Sequence, residues 1–155
     1  MPLVRRAVPE DAEELTRLRK IMLDAMRPSD DVRWQPATVA ALRSHLASAD
    51  GELTAFVVDA PDGSGTLAAC ATGAIDHSLG GPGNPAGTAG HVFNVCTDPD
   101  HRRRGYSRAC MEALLDWFRE RDVHRIDLHA TAEGEPLYAS LGFARTPAPA
   151  MRLTL

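Results

Sequence analysis

The stretch DPDHRRRGYSRACMEALLDWF, from Asp98 to Phe118, places three adjacent arginines before a glycine and then changes to an amphipathic pattern. Met111, Leu114, Leu115 and Phe118 recur at helical spacing, which predicts a helix that begins near the glycine. A helix N-terminus carries free backbone N–H groups and a partial positive charge. The stretch therefore predicts a local anion site, although a solvated loop would also tolerate three neighbouring arginines.

The composition limits the classes of partner that this anion site can serve. The 155 residues are 44% hydrophobic, which predicts one globular domain over residues 1–155. A net charge of −4 argues against general attraction to nucleic acid or to an anionic membrane surface. No stretch has the apolar length of a signal peptide or a membrane span, so we expect a cytoplasmic protein. Cys70, Cys96 and Cys110 form no CxxC pair, which predicts reduced, packed thiols and no zinc site.

Strand-like and helix-like segments alternate along the rest of the chain. Pro9 and Pro36 are typical first-turn residues of two helices, the second of which is predicted to end near Asp50. Residues 79–90, dense in Gly and Pro, predict a surface loop, because their GxGxxA string is interrupted by prolines and no helix follows it. The remaining patterns predict strands over 3–8, 53–59, 66–76 and 91–97.

Two motifs resemble those of the GNAT superfamily of acyl-CoA-dependent N-acyltransferases. Its acyl-CoA signature, R/Q-x-x-G-x-G/A, is resembled by Arg102, Arg103, Arg104, Gly105, Tyr106 and Ser107, with serine in place of the usual final Gly or Ala. Downstream, Leu137, Tyr138, Gly142 and Phe143 resemble the superfamily's LYxxxGF. A Walker loop, GxxxxGK(S/T), does not occur in the sequence, so a nucleoside triphosphate is not the expected ligand.

The resemblance implies an α/β (α+β) fold in which helices flank a twisted, mixed sheet of six or seven strands. Residues 124–130 would form the fifth strand, splayed away from the fourth. Acetyl-CoA would lie in that gap as cosubstrate, with its pantetheine arm along Val95 and Thr97, and no metal is implied. The amides of 103–107 would hold the pyrophosphate, and Arg102 is the side chain that the motif specifies.

The resemblance also implies the reaction, direct transfer of an acetyl group from acetyl-CoA to a primary amine. The amine must lose a proton, the thioester oxygen gains charge, and the departing thiolate benefits from a proton. Tyr138 stands at the superfamily's general-acid position, and a backbone N–H near Val95 would stabilise the oxyanion. His91 takes the place of a carboxylate that several relatives use as base. Asp76, His77 or bound waters are the alternatives.

The acceptor is a small-molecule or peptide amine that the sequence does not specify. Residues 30–34 could contact it or form an ordinary loop, and Trp117 suits either the core or the interface of a homodimer. Cys96 is not expected to form an acyl-enzyme, because direct transfer needs no protein nucleophile. Two alternative functions remain: a catalytically silent acyl-CoA sensor, and a module in which HRRRG binds nucleic acid phosphate.

Overall fold

The computed structural model describes residues 2–155 as a sheet with helices on both faces. Its strands are β1 (Val4–Arg6), β2 (Leu53–Asp59), β3 (Leu67–His77), β4 (Thr88–Thr97) and β5 (Ile126–Leu128). Its α-helices are α1 (Ala12–Met26), α2 (Gln35–Leu46), α3 (Tyr106–Glu120) and α4 (Glu135–Ser140). Short 3-10 turns at Pro9–Asp11 and Pro99–His101 precede α1 and follow β4. Among residues 2–155, we find no helix with the length and apolar character of a membrane span.

The sheet has the strand order β1-β2-β3-β4-β5 and is mixed, as expected. The first four strands pair antiparallel, and β5 pairs parallel to β4. The expected count of six or seven strands is wrong for residues 2–155, which form five. The C-terminal part of the described chain, 144–155, contains no strand. Pro147 and Pro149 lie in this part and cannot donate a hydrogen bond to a sheet ladder.

The predicted loop over 79–90 is also too long. Its last residues, Thr88 to Gly90, belong to β4 and pair with the end of β3. Gly90 is needed there because α3 packs closely on the sheet: a Cβ at this position would lie 2.7 Å from the Phe118 ring. The glycine therefore lets the helix approach the strand.

The two faces of the sheet have separate hydrophobic clusters. Phe118, Met111 and Leu114 of α3 pack on one face. Leu15 and Leu18 of α1 pack with residues of α2 on the other. Trp117 is only 3% exposed and belongs to the α3 cluster, so its place is in the core. Close packing of α1 on one face of the sheet and of α3 on the other holds β4 between the two helices.

Candidate active site

The gap between β4 and β5 forms the centre of the site. The two strands pair only from Gly90 to Val92 of β4, although β4 continues to Thr97. In the described part of the chain, no strand pairs with the β5 side of β4 beyond Val92. The expected splay of the fourth and fifth strands is therefore confirmed. It leaves backbone groups of β4 free to pair with an extended ligand.

A β-bulge lies in β4 at the open part of this gap. Cys96 pairs with Cys70 and Phe93 pairs with Thr72, so two β4 residues, 94 and 95, stand opposite one residue of β3. Asn94 adopts a left-handed backbone, with φ of 57°. The bulge interrupts the regular ladder at Val95, the residue whose N–H is the expected oxyanion donor. Thr97, the other expected cofactor contact on β4, ends the strand.

The basic segment is the entry to α3, as its sequence predicts. Gly105 is the N-cap of the helix and has φ of 76°, and Arg103 has φ of 64°. A Cβ added to Gly105 would meet no atom within 4 Å, so backbone conformation, rather than space in the unliganded chain, explains the glycine. A cavity of about 280 Å³ opens here and is lined by Thr97, Arg102, Arg103, Arg104, Gly105, Tyr106, Ser107, Arg108 and Leu137.

The charges around this cavity are positive and available to a ligand. Arg102, Arg103 and Arg104 are all exposed, and none forms an ion pair with another residue in 2–155. They surround the N-terminus of α3, which adds its own partial positive charge. The site is thus a local cationic cavity on a chain of net negative charge, and it suits a phosphate-bearing ligand.

Ion pairing fixes the end of β4 beside the cavity. Arg17 of α1 donates to a carboxylate oxygen of Asp98 over 2.7 Å. Burial acts to raise the pKa of Asp98, but hydrogen bonds from Arg17 and the Asp100 amide outweigh it and hold that pKa below its ordinary value. The carboxylate therefore stays ionised and paired at neutral pH. This pair ties α1 to the turn that leads into the arginine segment.

Tyr138 lies on the α3 side of the sheet. It packs against the α3 cluster and meets the Phe143 ring edge to face, with ring centroids 6.0 Å apart. Burial is the largest cause that raises the pKa of its phenol, and the nearby Cys96 thiol adds to the increase. The hydroxyl makes no hydrogen bond to any residue in 2–155. It is therefore a protonated donor without a protein partner.

His91 is a residue of β4, and its side chain lies on the opposite face of the sheet from Tyr138. It alternates with Val92, which belongs to the α3 cluster, so its side chain points away from α3. Its ring stacks on Phe93, with centroids 5.7 Å apart, and meets the ring of His129 at 6.0 Å. His91 pairs with Asp127, one residue before Val92, beyond which the gap opens. Tyr138 and His91 therefore lie on opposite faces of the sheet.

The rival bases lie farther along the sheet. Asp76 and His77 stand opposite Ala89 and Thr88, at the beginning of β4. His77 Nε2 lies 2.6 Å from a carboxylate oxygen of Glu52, in an exposed pair. His77 thus already has a partner at the surface. Asp76 is exposed and remains a less favoured alternative to His91.

His129 was not identified from the sequence, because its position beside His91 depends on the register of two separate strands. The parallel register of β4 and β5 pairs His91 with Asp127. Continuing that register by two residues brings His129 beside Phe93, on the same face as His91.

The three cysteines are buried, as expected. Burial is the main cause that raises the pKa of Cys96 to about 11 and that of Cys110 to about 12. Burial also holds the pKa of Cys70 well above its ordinary value. Protonated, packed thiols are poor nucleophiles. This agrees with the expectation that Cys96 forms no acyl-enzyme.

The segment between α1 and α2 makes mainly local contacts. Arg33 pairs with Asp31 over 2.9 Å, and the Trp34 indole donates to the Asp31 carbonyl. The segment also contacts α1, because the Ser29 carbonyl accepts from Lys20 Nζ over 3.2 Å. Substrate contact by residues 30–34 therefore stays a prediction.

The fold and the site define an α/β protein with a split sheet and a cationic helix N-terminus at the split. Comparison with known proteins gives the family: a model of the acetyltransferase (GNAT) family matches residues 15–143, and the chain belongs to that family. The resemblance found in the sequence is thereby confirmed.

Two solved structures illustrate the likeness over the whole chain. A protein described as a predicted acetyltransferase from Clostridium acetobutylicum, determined with acetyl-CoA, is 23% identical and has a TM-score of 0.84. The match covers 99% of this chain and 96% of that protein. A GCN5-related N-acetyltransferase from Ralstonia eutropha JMP134 is 27% identical, has a TM-score of 0.83, and is matched over 99% of both chains.

A curated relative matches only in part. The ribosomal protein bS18-alanine N-acetyltransferase of Escherichia coli (strain K12) is 40% identical over 55 residues. This segment covers 34% of the present chain and 37% of the relative. The match therefore supports the family and leaves the acceptor open.

Proposed function

We propose that this protein is an acetyl-CoA-dependent N-acetyltransferase that acetylates a primary amine by direct attack. The observation that carries the proposal is the cationic cavity at the N-terminus of α3, which opens beside the unpaired part of β4. A ligand with a pyrophosphate at one end and an extended, amide-bearing arm matches both features. Coenzyme A has this chemistry, and its acetyl thioester is the cosubstrate that the family suggests.

The residues of the cavity fit that ligand. The amides of 103–107 lead into the first turn of α3, and Gly105 adopts the left-handed conformation at its N-cap. Arg102, with its neighbours, supplies side chains that pair well with phosphate oxygens. Ser107 retains a small side chain at the final motif position. The backbone of Val95 and Thr97 would pair with the amide-bearing arm as an added strand would.

The chemistry requires three groups. His91, or a water that it holds, accepts the proton of the acceptor ammonium, and the free amine attacks the thioester carbonyl. The Val95 N–H donates to the oxygen that gains charge. As the new C–N bond forms and the C–S bond breaks, Tyr138 donates its proton to the departing thiolate. The amine's second proton restores the phenol through solvent, so atoms and charges balance.

The acceptor is proposed as a small-molecule or peptide amine. The curated relative's name describes alanine acetylation on a ribosomal protein, and a structural relative is named as an aminoglycoside N-acetyltransferase. Those names describe different classes of amine, and the curated relative matches only 34% of this chain, so neither name selects the acceptor. A nucleic acid partner is not favoured, because the net charge is −4.

The test follows free CoA release from acetyl-CoA across a panel of small amines and peptides, with the product mass measured by spectrometry. A product whose mass has increased by that of one acetyl group, in one class of acceptor, supports the proposal. Calorimetry with CoA measures cosubstrate binding separately from turnover. A chain that binds duplex DNA but gives no heat with millimolar CoA would overturn the proposal in favour of a phosphate-binding module.

A further inference from the structure

Asn94 combines a buried side chain with an unusual backbone at the centre of β4. It is 3% exposed, has φ of 57°, and forms one half of the bulge opposite β3. Asparagine tolerates this left-handed conformation better than most residues, for which it costs about 1–2 kcal/mol. Glycine would tolerate it equally well, so the backbone alone does not require an amide at this position.

The Asn94 amide connects the bulge to another element. The side-chain Nδ2 donates to the Leu15 carbonyl of α1 over 3.4 Å, whereas the backbone carbonyl of Asn94 accepts from the Cys70 thiol of β3 over 3.1 Å. Its Oδ1 is buried and has no partner in residues 2–155. An unpaired buried oxygen is unfavourable, so stability alone does not account for this side chain. The side-chain amide supplies a hydrogen bond between the bulge and α1, and a glycine at this position would lack that bond.

We propose that Asn94 is a positioning residue for acyl transfer, which holds the β4 bulge so that the Val95 N–H faces the gap. This inference rests on the proposed function. Asn94 itself need not touch a reacting atom, since it acts through the backbone of the next residue. An oxyanion donor must be held close to its required position, and a misplacement of roughly 1 Å can lower turnover about a hundredfold.

The decisive variant is Asn94→Gly, which keeps the left-handed backbone and removes the tie to Leu15. We expect kcat to fall roughly tenfold to a hundredfold, with the Kd for CoA changed less than about threefold. Asn94→Ala adds backbone strain and should lose more. The matched control is Thr16→Ala: Thr16 is also buried on α1, but its hydroxyl bonds only within the helix, to the Ala12 carbonyl.

The kcat of Asn94→Gly is compared with that of the control, Thr16→Ala. A kcat for Asn94→Gly no lower than that of Thr16→Ala overturns the inference, and so does an equal loss in kcat and in CoA affinity. If Asn94→Ala fails to fold, Asn94→Gly still decides the question, because glycine accepts the required φ.

A second measurement separates this inference from the proposed function. In ¹⁵N-labelled protein, the Val95 amide shift should differ between the complexes with acetyl-CoA and with CoA, and Asn94→Gly should remove most of that difference. An equal difference in parent and variant, or none in the parent, overturns the inference. A parent that shows the difference yet acetylates none of the amines overturns the proposed function alone.

Discussion

The side-chain hydroxyls of Thr97 and Ser107 are hydrogen-bonded to each other, and this bond joins the end of β4 to the first turn of α3. Ser107 is the position at which the chain departs from the family's signature. Its hydroxyl therefore has a structural partner on the wall of the cationic cavity.

This relationship predicts a small effect for Ser107→Ala and a large one for Ser107→Leu. A neutral hydrogen bond contributes about 0.5–1.5 kcal/mol, so the loss in CoA affinity for Ser107→Ala should stay within about tenfold. Leucine would project a large side chain into the cavity and should weaken binding further. Calorimetry with CoA measures both, with Thr97→Ser as a control that keeps the hydroxyl. Equal affinities for the alanine and leucine variants would place the ligand elsewhere.

Gly105→Val should abolish tight CoA binding, and Gly63→Val should not. Both glycines have a left-handed backbone, with φ of 76° and 72°, and an added Cβ at either meets no atom within 4 Å. Each substitution therefore carries a similar backbone cost, about 1–2 kcal/mol. Gly63 lies in the β2–β3 turn and does not line the cavity. Thermal unfolding with and without CoA compares them, and a ligand shift retained in both variants would refute the assigned pyrophosphate loop.

The buried thiols predict a loss of stability at high pH. Burial raises the pKa of Cys96 to about 11 and that of Cys110 to about 12, above the ordinary thiol value of 9.0. Folding therefore keeps these thiols protonated where the unfolded chain would ionise them. The contribution of these two thiols to the free energy of unfolding should be constant below pH 9, and it should fall as the pH rises toward 11. Urea titrations from pH 7 to 10 measure the slope, and it should lessen in Cys110→Ala.

The same burial predicts that Cys96 takes no covalent part in the reaction. Iodoacetamide should modify the cysteines in urea but not in the folded chain. Cys96→Ala should retain most of the parent turnover. An acetylated Cys96 trapped during turnover would contradict direct attack.

The sequence predicted best those features that depend on local pattern. The hairpin of β2 and β3, the start of α3 at Gly105 and the strand that ends at Thr97 all agree with the structure. Each depends on periodicity, turn residues or a left-handed glycine, which short windows of sequence contain. The gap between β4 and β5 came from the family resemblance, since no local pattern contains the point at which two distant strands separate.

The features that sequence missed depend on register and burial. The bulge at Asn94 arises because two residues of β4 face one of β3. The meeting of His91 with His129 depends on the parallel register of β5. Pairings between separate segments leave no periodic trace in the sequence, so neither feature could be obtained from one sequence.

Tyr138→Phe should lower kcat far more than it weakens acetyl-CoA binding. The phenol is packed against Phe143 and its hydroxyl has no hydrogen bond partner in residues 2–155, so phenylalanine should fill the same space. Loss of a general acid lowers turnover about a hundredfold or more. Single-turnover rates with saturating acetyl-CoA, beside calorimetric Kd values, separate the two effects. A variant as active as the parent would remove Tyr138 from the mechanism.

His91, as the base, should produce an ascending limb in the pH profile of kcat/KM for the amine, and His91→Ala should abolish that limb. His129→Ala is the matched control, because its ring lies against His91 at 6.0 Å but outside the proposed proton path. Ionisation of the amine itself can produce a similar limb, so the profiles need acceptors of different amine pKa. A limb that stays fixed across acceptors and disappears only in His91→Ala assigns the base to His91. A limb that moves with the acceptor and survives in His91→Ala reports ionisation of the amine. In that case His91 is not the base, and bound water accepts the proton.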